Sequence, residues 1–293
     1  MLVDNNKGKA IVIGAGIAGL STAYYLVKDG WEVLVLEKGD GLDNCSYGNA
    51  GMIVPSHFTP MAAPGMVSKG VKWMLNSKSP FYVRPTLDFS LIDWGLKFLK
   101  HANHKHVERH SEAVRDLNLA SSRLYDTWVK EERFNIELKQ NGIMMLYKTK
   151  ALAQEEVELA ERAMKLGLDV EIYDKNGIQD LEPHLTLDTL GGILYKCDGT
   201  MNPMKLMKTL NHFLRERGVQ FFLNTEVVNF KISGNKVAEV LTTKGAFVGD
   251  EVIITGGASL AALSSKLNLK LPLMPGKGYS FMHEPSPNSS MNH

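Results

Sequence analysis

The feature that most constrains this chain is a glycine-rich turn between two short apolar segments near the N-terminus. Residues 10–13 form an apolar run, the pattern G-x-G-x-x-G follows it, and residues 17–28 carry apolar side chains at helical spacing. Residues 31–36 then give a second apolar run. Short apolar runs of this kind are typical of buried parallel strands, so the sequence predicts a strand, a turn, a helix and a second strand.

The three glycines of the turn have separate roles in a dinucleotide-binding motif. Gly14 permits the tight turn, Gly16 lets a pyrophosphate approach the backbone, and Gly19 lets the helix pack against the strand. Glu37 ends the second strand, where a carboxylate accepts hydrogen bonds from an adenosine ribose and repels a 2′-phosphate. The alternative is a flexible glycine loop, which the flanking strands, the helix and the acid disfavour. We therefore predict that this segment binds a dinucleotide.

Composition and charge exclude several classes of protein. A chain of 293 residues is long enough for two domains with sizeable cores. Its 33 Lys and Arg against 32 Asp and Glu leave a net charge of +1, so no bulk charge attracts nucleic acid. Cys45 and Cys197 have neither disulfide-framework nor zinc-site spacing. No stretch approaches the roughly 18 to 20 apolar residues of a membrane-spanning helix, so we expect no transmembrane segment.

A polar, glycine-rich loop follows Glu37, where a nicotinamide-binding domain would usually continue into another helix. The loop covers residues 39–51, and its backbone amides, the Ser46 hydroxyl and the Asn49 amide are suited to wrapping a cofactor. A surface loop without a ligand is the alternative. For Cys45 a small packed side chain is favoured over a covalent link to a cofactor.

These residues together carry a resemblance to a known family. The glycine turn, Glu37 and the segment CSYGNAGM at 45–52 resemble the flavin-dependent amine oxidoreductases of the D-amino-acid oxidase and glycine oxidase superfamily. Within it, NAGMIVPS, AAPG at 62–65, KW at 72–73 and RP at 84–85 are most similar to the bacterial D-amino-acid dehydrogenases. The resemblance implies FAD as the cofactor.

The resemblance also implies where FAD binds. The loop of residues 45–52 lies against FAD in that family, Val227 matches a position where backbone meets the adenine, and the strand before Gly256 and Gly257 recrosses under the cofactor. The implied cofactor-binding residues are Gly14, Gly16, Gly19, Glu37, Lys38, Ser46, Asn49, Ala50, Gly51, Met52, Val227, Gly256 and Gly257. No catalytic residue is assigned, and no metal is expected.

The expected fold is α/β, a Rossmann-type FAD-binding domain with a discontinuous α+β substrate domain. We place the FAD-binding domain at residues 1–57 and 190–262 and the substrate domain, incomplete, at 58–189 and 263–293. A strand at residues 192–195, a helix opened by Asn202 and Pro203 and a strand at residues 219–223 predict a βαβ unit that returns the chain to the parallel sheet. Residues 228–248 are predicted to form an antiparallel meander. Residues 273–281 resemble the family strand that begins the return to the substrate domain.

Two segments in the middle of the chain each allow more than one interpretation. Residues 60–85 are rich in Met and aromatic side chains and suit a lid over the substrate, a patch touching a membrane or a quinone, or, as favoured, core packing. Residues 87–138 predict amphipathic helices. His106 and His110 share a helix face as metal ligands would, but no further ligand completes the set, which favours a solvated histidine-rich surface.

The function that the resemblance implies is oxidative deamination of a D-amino acid to a 2-oxo acid and ammonia, by hydride transfer to the flavin. Electrons would pass to a quinone or another carrier, and the protein would be cytoplasmic or peripheral at the inner membrane. The alternatives are a glycine or sarcosine-type amine oxidase and a catalytically silent FAD-binding fragment that needs a partner chain. In the family the chain continues beyond the position of His293, and that portion supplies an arginine for the substrate carboxylate.

Overall fold

The computed structural model describes residues 7–42, 44–74, 79, 82–83 and 88–281. The chain divides into two compact units. The first unit contains the described residues within 1–50 and 202–281, and the second contains those within 51–201. The assignment of cofactor and substrate roles to separate domains stays a prediction.

Both units contain helices and strands. In chain order the strands are β1 (Lys9–Ile13), β2 (Glu32–Leu36), β3 (Met52–Ile53), β4 (Ile143–Tyr147), β5 (Val170–Asp174), β6 (Gly191–Tyr195), β7 (Gly199–Thr200), β8 (Gln220–Phe222), β9 (Val227–Ser233), β10 (Lys236–Thr242), β11 (Gly245–Phe247) and β12 (Glu251–Ile254). The helices are α1 (Ile17–Lys28), α2 (Met66–Met74), α3 (Phe89–His101), α4 (His104–Glu131), α5 (Lys150–Lys165), α6 (Lys175–Leu181), α7 (Pro203–Glu216) and α8 (Leu260–Ser265).

A parallel sheet forms the centre of the first unit, in the order β12-β1-β2-β8. Each neighbouring pair in it is parallel. Helix α1 joins β1 to β2, as the glycine turn and the helical spacing predict. The α/β fold class and the Rossmann-type strand, turn, helix and strand are therefore confirmed.

Side chains on one face of the sheet pack against an antiparallel meander. Strands β9, β10 and β11 form the three-stranded meander that was predicted for residues 228–248. Alternate residues of a strand point to one face, and the shared core contains Ile11, Ile13, Leu34, Leu36, Val227, Phe230 and Val240. Burial of this cluster fixes the meander on the sheet through the hydrophobic effect.

Helix α7 packs beside α1. The Asn202 side chain caps α7 by accepting the N–H of Lys205 at 3.1 Å, and Pro203 occupies its first position. Both residues are favoured there, because asparagine satisfies a free helix amide and proline has no N–H to lose. The Phe213 ring lies 5.1 Å from the ring of Tyr24 in α1. This contact holds the two helices together.

An antiparallel sheet, β4-β6-β5, forms the core of the second unit. Helix α5 covers it, with Ala160 and Ala163 fully buried in a cluster with Phe58, Tyr147 and Ile193. The small alanines let the helix approach the sheet closely. Strands β3 and β7 pair separately as a short antiparallel ladder.

The prediction of a βαβ unit in the parallel sheet is right for residues 219–223, since β8 pairs with β2 there, and wrong for residues 192–195. Strand β6 is the central strand of the antiparallel sheet and pairs with β4 and β5. Every residue of β6 is buried, so its sequence lacks the alternation of a half-exposed strand and resembles a parallel strand covered on both faces.

The strand expected at residues 273–281 does not form either, since the described residues from 270 to 281 contain no regular secondary structure. Tyr279 is 88% exposed and Phe281 is 92% exposed, so neither ring holds the segment against a core. None of the helices in the described part of the chain combines the length and the apolar character that crossing a bilayer requires.

Candidate dinucleotide site

The turn between β1 and α1 uses glycine where no other residue fits. Gly14 has φ +111°, a conformation that side chains disfavour, and a Cβ there would lie 2.7 Å from the carbonyl oxygen of Thr255. A Cβ on Gly19 would lie 1.8 Å from the carbonyl oxygen of Gly14. The position of Gly16 is less tight, since its Cβ would lie 3.3 Å from the Ser46 hydroxyl oxygen. Close packing of helix on strand therefore depends most on Gly19.

Glu37 extends from the end of β2 to the glycine turn. One carboxylate oxygen accepts the N–H of Ala15 at 2.8 Å, and the other accepts the N–H of Gly39 at 2.9 Å. An ionised carboxylate has about four acceptor positions, so these two bonds leave capacity for a ligand hydroxyl. Glu37 thus supports the turn and is placed beside it.

Ser46 brings the polar loop to the N-terminus of α1. Its hydroxyl oxygen accepts the N–H of Ile17 at 2.9 Å. The first turn of α1, all of it among the described residues, carries no acidic side chain. Free amides and the helix dipole make such a terminus favourable for an anion, and Ser46 lies beside it through this bond.

The rest of the loop folds onto itself. The Asn49 amide donates to the carbonyls of Cys45 at 3.2 Å and Ser46 at 3.0 Å, so it stabilises the loop from within. Ala50 is exposed and ends the first unit. In the second unit, the Gly51 carbonyl accepts the N–H of Met201 at 2.8 Å, and Met52 pairs with Thr200 in β3 and β7.

A second glycine turn follows β12. Gly257 has φ +50°, and a Cβ on Gly256 would lie 2.9 Å from the Leu263 side chain. The Lys38 ammonium group donates to the Ser259 hydroxyl at 3.2 Å. Lys38, just after β2, therefore contacts the segment that follows the second glycine turn, and this turn lies in the same unit as the first glycine turn.

Val227, the residue matched to the adenine, begins β9 opposite Thr242. Its side chain is buried in the core between sheet and meander. Just before it, the Thr225 N–H donates to the Glu37 carbonyl at 2.8 Å. The structure thus brings the start of β9 next to the end of β2, while the contact of Val227 with a cofactor stays a prediction.

Sequence analysis missed Thr255. The Thr255 hydroxyl lies 2.8 Å from the carbonyl oxygen of Ile13 and 3.3 Å from that of Gly14. It therefore contacts the first glycine turn from a strand more than two hundred residues away. The only local signal is a threonine at the end of a strand before two glycines, which predicts no such partner.

A buried carboxylate in the second unit was also missed. Asp198 is 1% exposed and accepts the Ser56 N–H at 3.0 Å and the Ser56 O–H at 2.5 Å. Burial raises the pKa of Asp198, because the charged form loses hydration. Burial likewise raises the pKa of the neighbouring Cys197 thiol to about 12, which keeps it protonated. In sequence, Asp198 resembles an ordinary turn residue before a glycine.

His106 in α4 lies between His101 at the end of α3 and His110 in α4, with ring centroids 5.3 Å and 4.6 Å away. Partial burial and then the two neighbouring histidines lower the pKa of His106. Within the described ranges, no group of three or more His, Cys, Asp and Glu side chains is placed to hold a metal.

Comparison with known families decides the assignment of the chain. The family model for "FAD dependent oxidoreductase" matches residues 9–293. The chain belongs to this family. The resemblance noted from the glycine turn, Glu37 and the NAGM segment is thereby confirmed, and FAD is the cofactor of the family.

The relatives of this FAD-dependent oxidoreductase include D-amino acid dehydrogenases. The enzyme of Phenylobacterium zucineum is 32% identical over 283 residues, a match that covers 93% of this chain and 65% of the relative. That of Helicobacter pylori is 30% identical over 277 residues and covers 94% and 65%. The chain therefore spans slightly less than two thirds of the length of these relatives.

Solved structures with the same fold are more distant in sequence. Glycine oxidase from Geobacillus kaustophilus has a TM-score of 0.64 at 19% identity, over 90% of this chain and 59% of that one. L-amino acid deaminase from Proteus vulgaris has a TM-score of 0.63 at 15% identity, over 91% and 51%. These similarities confirm the fold.

The residues of the first unit fit FAD. The turn is closed by glycines whose added Cβ atoms would collide with backbone, the helix terminus after it carries no acid, and a carboxylate lies beside it. These are the features that a dinucleotide pyrophosphate and ribose require.

Proposed function

We propose that this chain is an FAD-dependent dehydrogenase that oxidises D-amino acids to 2-oxo acids and ammonia. The observation that carries the proposal is its 32% identity over 283 residues to a D-amino acid dehydrogenase. The geometry supports it, because the first unit contains the glycine turn and the acid that an FAD enzyme needs.

In this proposal the residues of the first unit bind and orient the cofactor. Backbone amides at Gly16 and the start of α1 bind the pyrophosphate, with Ser46 beside them. Glu37 accepts hydrogen bonds from the adenosine ribose, and the start of β9 at Val227 lies against the adenine. When bound, FAD supplies the acceptor for the hydride that leaves the amino acid Cα, and water then hydrolyses the imine.

No side chain of the chain is proposed as an essential base. An amine that binds in its neutral form can lose a hydride without prior proton removal. The protein then needs only to bind the substrate and orient it towards the cofactor. A quinone or another electron carrier is proposed as the final acceptor. Peripheral contact with a membrane is consistent with such an acceptor.

The proposal is tested by purifying the chain and recording its visible absorption without oxygen, before and after adding a mixture of D-amino acids. We expect a yellow protein that bleaches with D-amino acids and not with the L-enantiomers. A yellow protein that does not bleach would support an FAD-binding unit without turnover. A colourless protein that takes up no added FAD would contradict the proposal.

The same sample distinguishes the oxidase alternative. A dehydrogenase that passes electrons to a carrier should reduce a quinone analogue and produce little hydrogen peroxide in air. Stoichiometric peroxide during turnover of glycine or sarcosine would instead indicate an amine oxidase.

A further inference from the structure

Two peptide groups of the first glycine turn are held by a residue from the other end of the chain. Thr255 follows β12, the strand beside β1. Its backbone N–H donates to the Ile13 carbonyl at 2.9 Å, and its hydroxyl lies 2.8 Å from the same oxygen and 3.3 Å from the Gly14 carbonyl oxygen. Thr255 thus holds the carbonyl ends of two consecutive peptide groups.

The N–H ends of the same peptide groups are held by β2. The Gly14 N–H donates to the Leu36 carbonyl at 2.8 Å, and the Ala15 N–H donates to the Glu37 carboxylate at 2.8 Å. The C=O and N–H of a trans peptide point in opposite directions. Each of the two peptide groups is therefore bonded on both sides, by Thr255 on one and by the end of β2 on the other.

These bonds matter because Gly14 has little intrinsic preference for one conformation. Glycine lacks the Cβ that restricts other residues, so its φ of +111° is maintained by its surroundings. The Gly14 carbonyl also packs against Gly19, where an added Cβ would lie 2.9 Å from the Thr255 hydroxyl oxygen. A rotated peptide that turned a carbonyl oxygen towards a phosphate would repel it.

We propose that Thr255 is a positioning residue for the pyrophosphate of the bound dinucleotide. Its hydroxyl orients the peptide groups on either side of Gly14, and these peptide groups position the pyrophosphate. This inference rests on the proposed function, since it takes FAD as that dinucleotide. Thr255 touches the backbone of the turn, and its effect on the ligand is indirect.

The test compares Thr255→Val, which keeps the shape and removes the hydroxyl, with Thr255→Ser, which keeps the hydroxyl. The matched control is Thr127→Val, which removes a similar bond, 3.0 Å from hydroxyl to the Arg123 carbonyl, from α4 in the second unit. FAD affinity is measured by quenching of flavin fluorescence in the full 293-residue chain. ADP and adenosine are measured by competition with FAD.

We expect T255V to lower the affinity for FAD and for ADP by about threefold to tenfold, which is the effect of losing one hydrogen bond of ordinary strength. T255S and T127V should stay within about twofold of the unchanged chain. Adenosine lacks the pyrophosphate, so its affinity should be the same in T255V and the unchanged chain. Far-ultraviolet circular dichroism checks folding, and Thr255→Ala gives a second variant without the hydroxyl should T255V fail to fold.

The outcomes separate this inference from the proposed function. If the unchanged chain binds FAD and T255V binds it equally well, the positioning role is wrong while the proposed function stands. The positioning role is also overturned if T255V loses affinity equally for adenosine and ADP, or if T255S binds FAD as weakly as T255V does. A chain that binds no FAD overturns both.

Discussion

At the scale of single residues, the first unit depends on backbone geometry more than on side-chain chemistry. Gly14 and Gly19 occupy positions that a Cβ would block, and Glu37 and Ser46 bond to backbone amides around them. A change at any of these positions should therefore alter cofactor binding through the shape of the turn.

Replacing Gly19 with Ala should prevent FAD binding and lower the unfolding temperature. The new Cβ would lie 1.8 Å from the Gly14 carbonyl oxygen, so the helix must move away from the strand. The control is Gly95→Ala in α3, where an added Cβ meets no atom of the described chain within 4 Å. Alanine favours a helix over glycine by up to about 1 kcal/mol, so Gly95→Ala should be at least as stable as the unchanged chain. Equal unfolding temperatures and FAD affinities of the Gly19→Ala and Gly95→Ala variants would contradict the close packing of α1 at Gly19.

Replacing Glu37 with Ala should weaken FAD retention by about 1.5 to 3 kcal/mol, the range for a hydrogen bond to a charged group. The change also leaves the amides of Ala15 and Gly39 without their acceptor. Equilibrium dialysis against FAD measures the effect. Glu32→Ala on the same strand removes only an exposed ion pair with Lys9 and should change FAD affinity little; unchanged affinity in E37A would show that the adenosine lies elsewhere.

The buried Asp198 predicts a pH dependence of stability. Its pKa is raised above 3.8, so the folded state binds the proton more tightly than the unfolded state. Its contribution to stability is then fully present below the unfolded pKa and is lost as pH rises through the folded pKa.

The Asp198→Asn variant keeps an acceptor for the Ser56 N–H and has no carboxyl group that ionises. The free energy of unfolding of Asp198→Asn should therefore rise relative to that of the unchanged chain as pH increases from about 4. Urea denaturation over a pH series measures the difference, and a difference that is constant with pH would contradict a raised pKa. Asp188→Asn is the control: the hydrogen bond from Lys148 lowers the pKa of this exposed carboxyl, so the stability of the variant should not rise relative to that of the unchanged chain as pH increases.

At the scale of elements, helix α5 illustrates how side-chain size sets packing. Ala160 and Ala163 are fully buried against the antiparallel sheet, whereas Ala151 on the same helix is exposed. Local helix propensity treats the three alanines alike, and only the tertiary contacts distinguish them.

Replacing Ala163 with Leu should destabilise the second unit by about 1 to 3 kcal/mol, since three extra carbon atoms must enter a filled core. Ala151→Leu adds the same side chain at an exposed position and should have little effect. Chemical denaturation followed by circular dichroism compares them. Similar stability of the two variants would show that the core beneath α5 is not closely packed.

At the scale of the whole molecule, each unit has a core of its own, formed by a parallel sheet with a meander in one and an antiparallel sheet with α5 in the other. Ligand binding to a folded unit raises its apparent stability by mass action. The candidate FAD-binding residues of the turn, Glu37 and Ser46 all lie in the first unit.

FAD should therefore raise the temperature of an unfolding transition, with a stabilisation of about 2.7 kcal/mol at a hundredfold excess over Kd. Differential scanning calorimetry at increasing FAD concentrations measures the shift. Gly19→Ala is the control and should show no shift. A transition that does not move for the unchanged chain would contradict FAD binding in this chain.

Features that depend on near neighbours along the chain could be predicted from the sequence. Glycine spacing and helical periodicity predicted β1, α1 and β2, turn residues predicted the meander, and Asn202 with Pro203 predicted the start of α7. These are local preferences of backbone and capping, so they are visible in a short window of residues.

Tertiary packing sets which strands are neighbours, and a short window of sequence does not contain this information. This packing placed β12 beside β1, which brought Thr255 to Gly14 across 241 positions, and it placed β6 in an antiparallel sheet although its apolar run resembles a parallel strand. It also buried Asp198 against Ser56. Local periodicity reports how much of a strand is buried and does not encode its partner, because pairing is chosen by the packing of the whole unit.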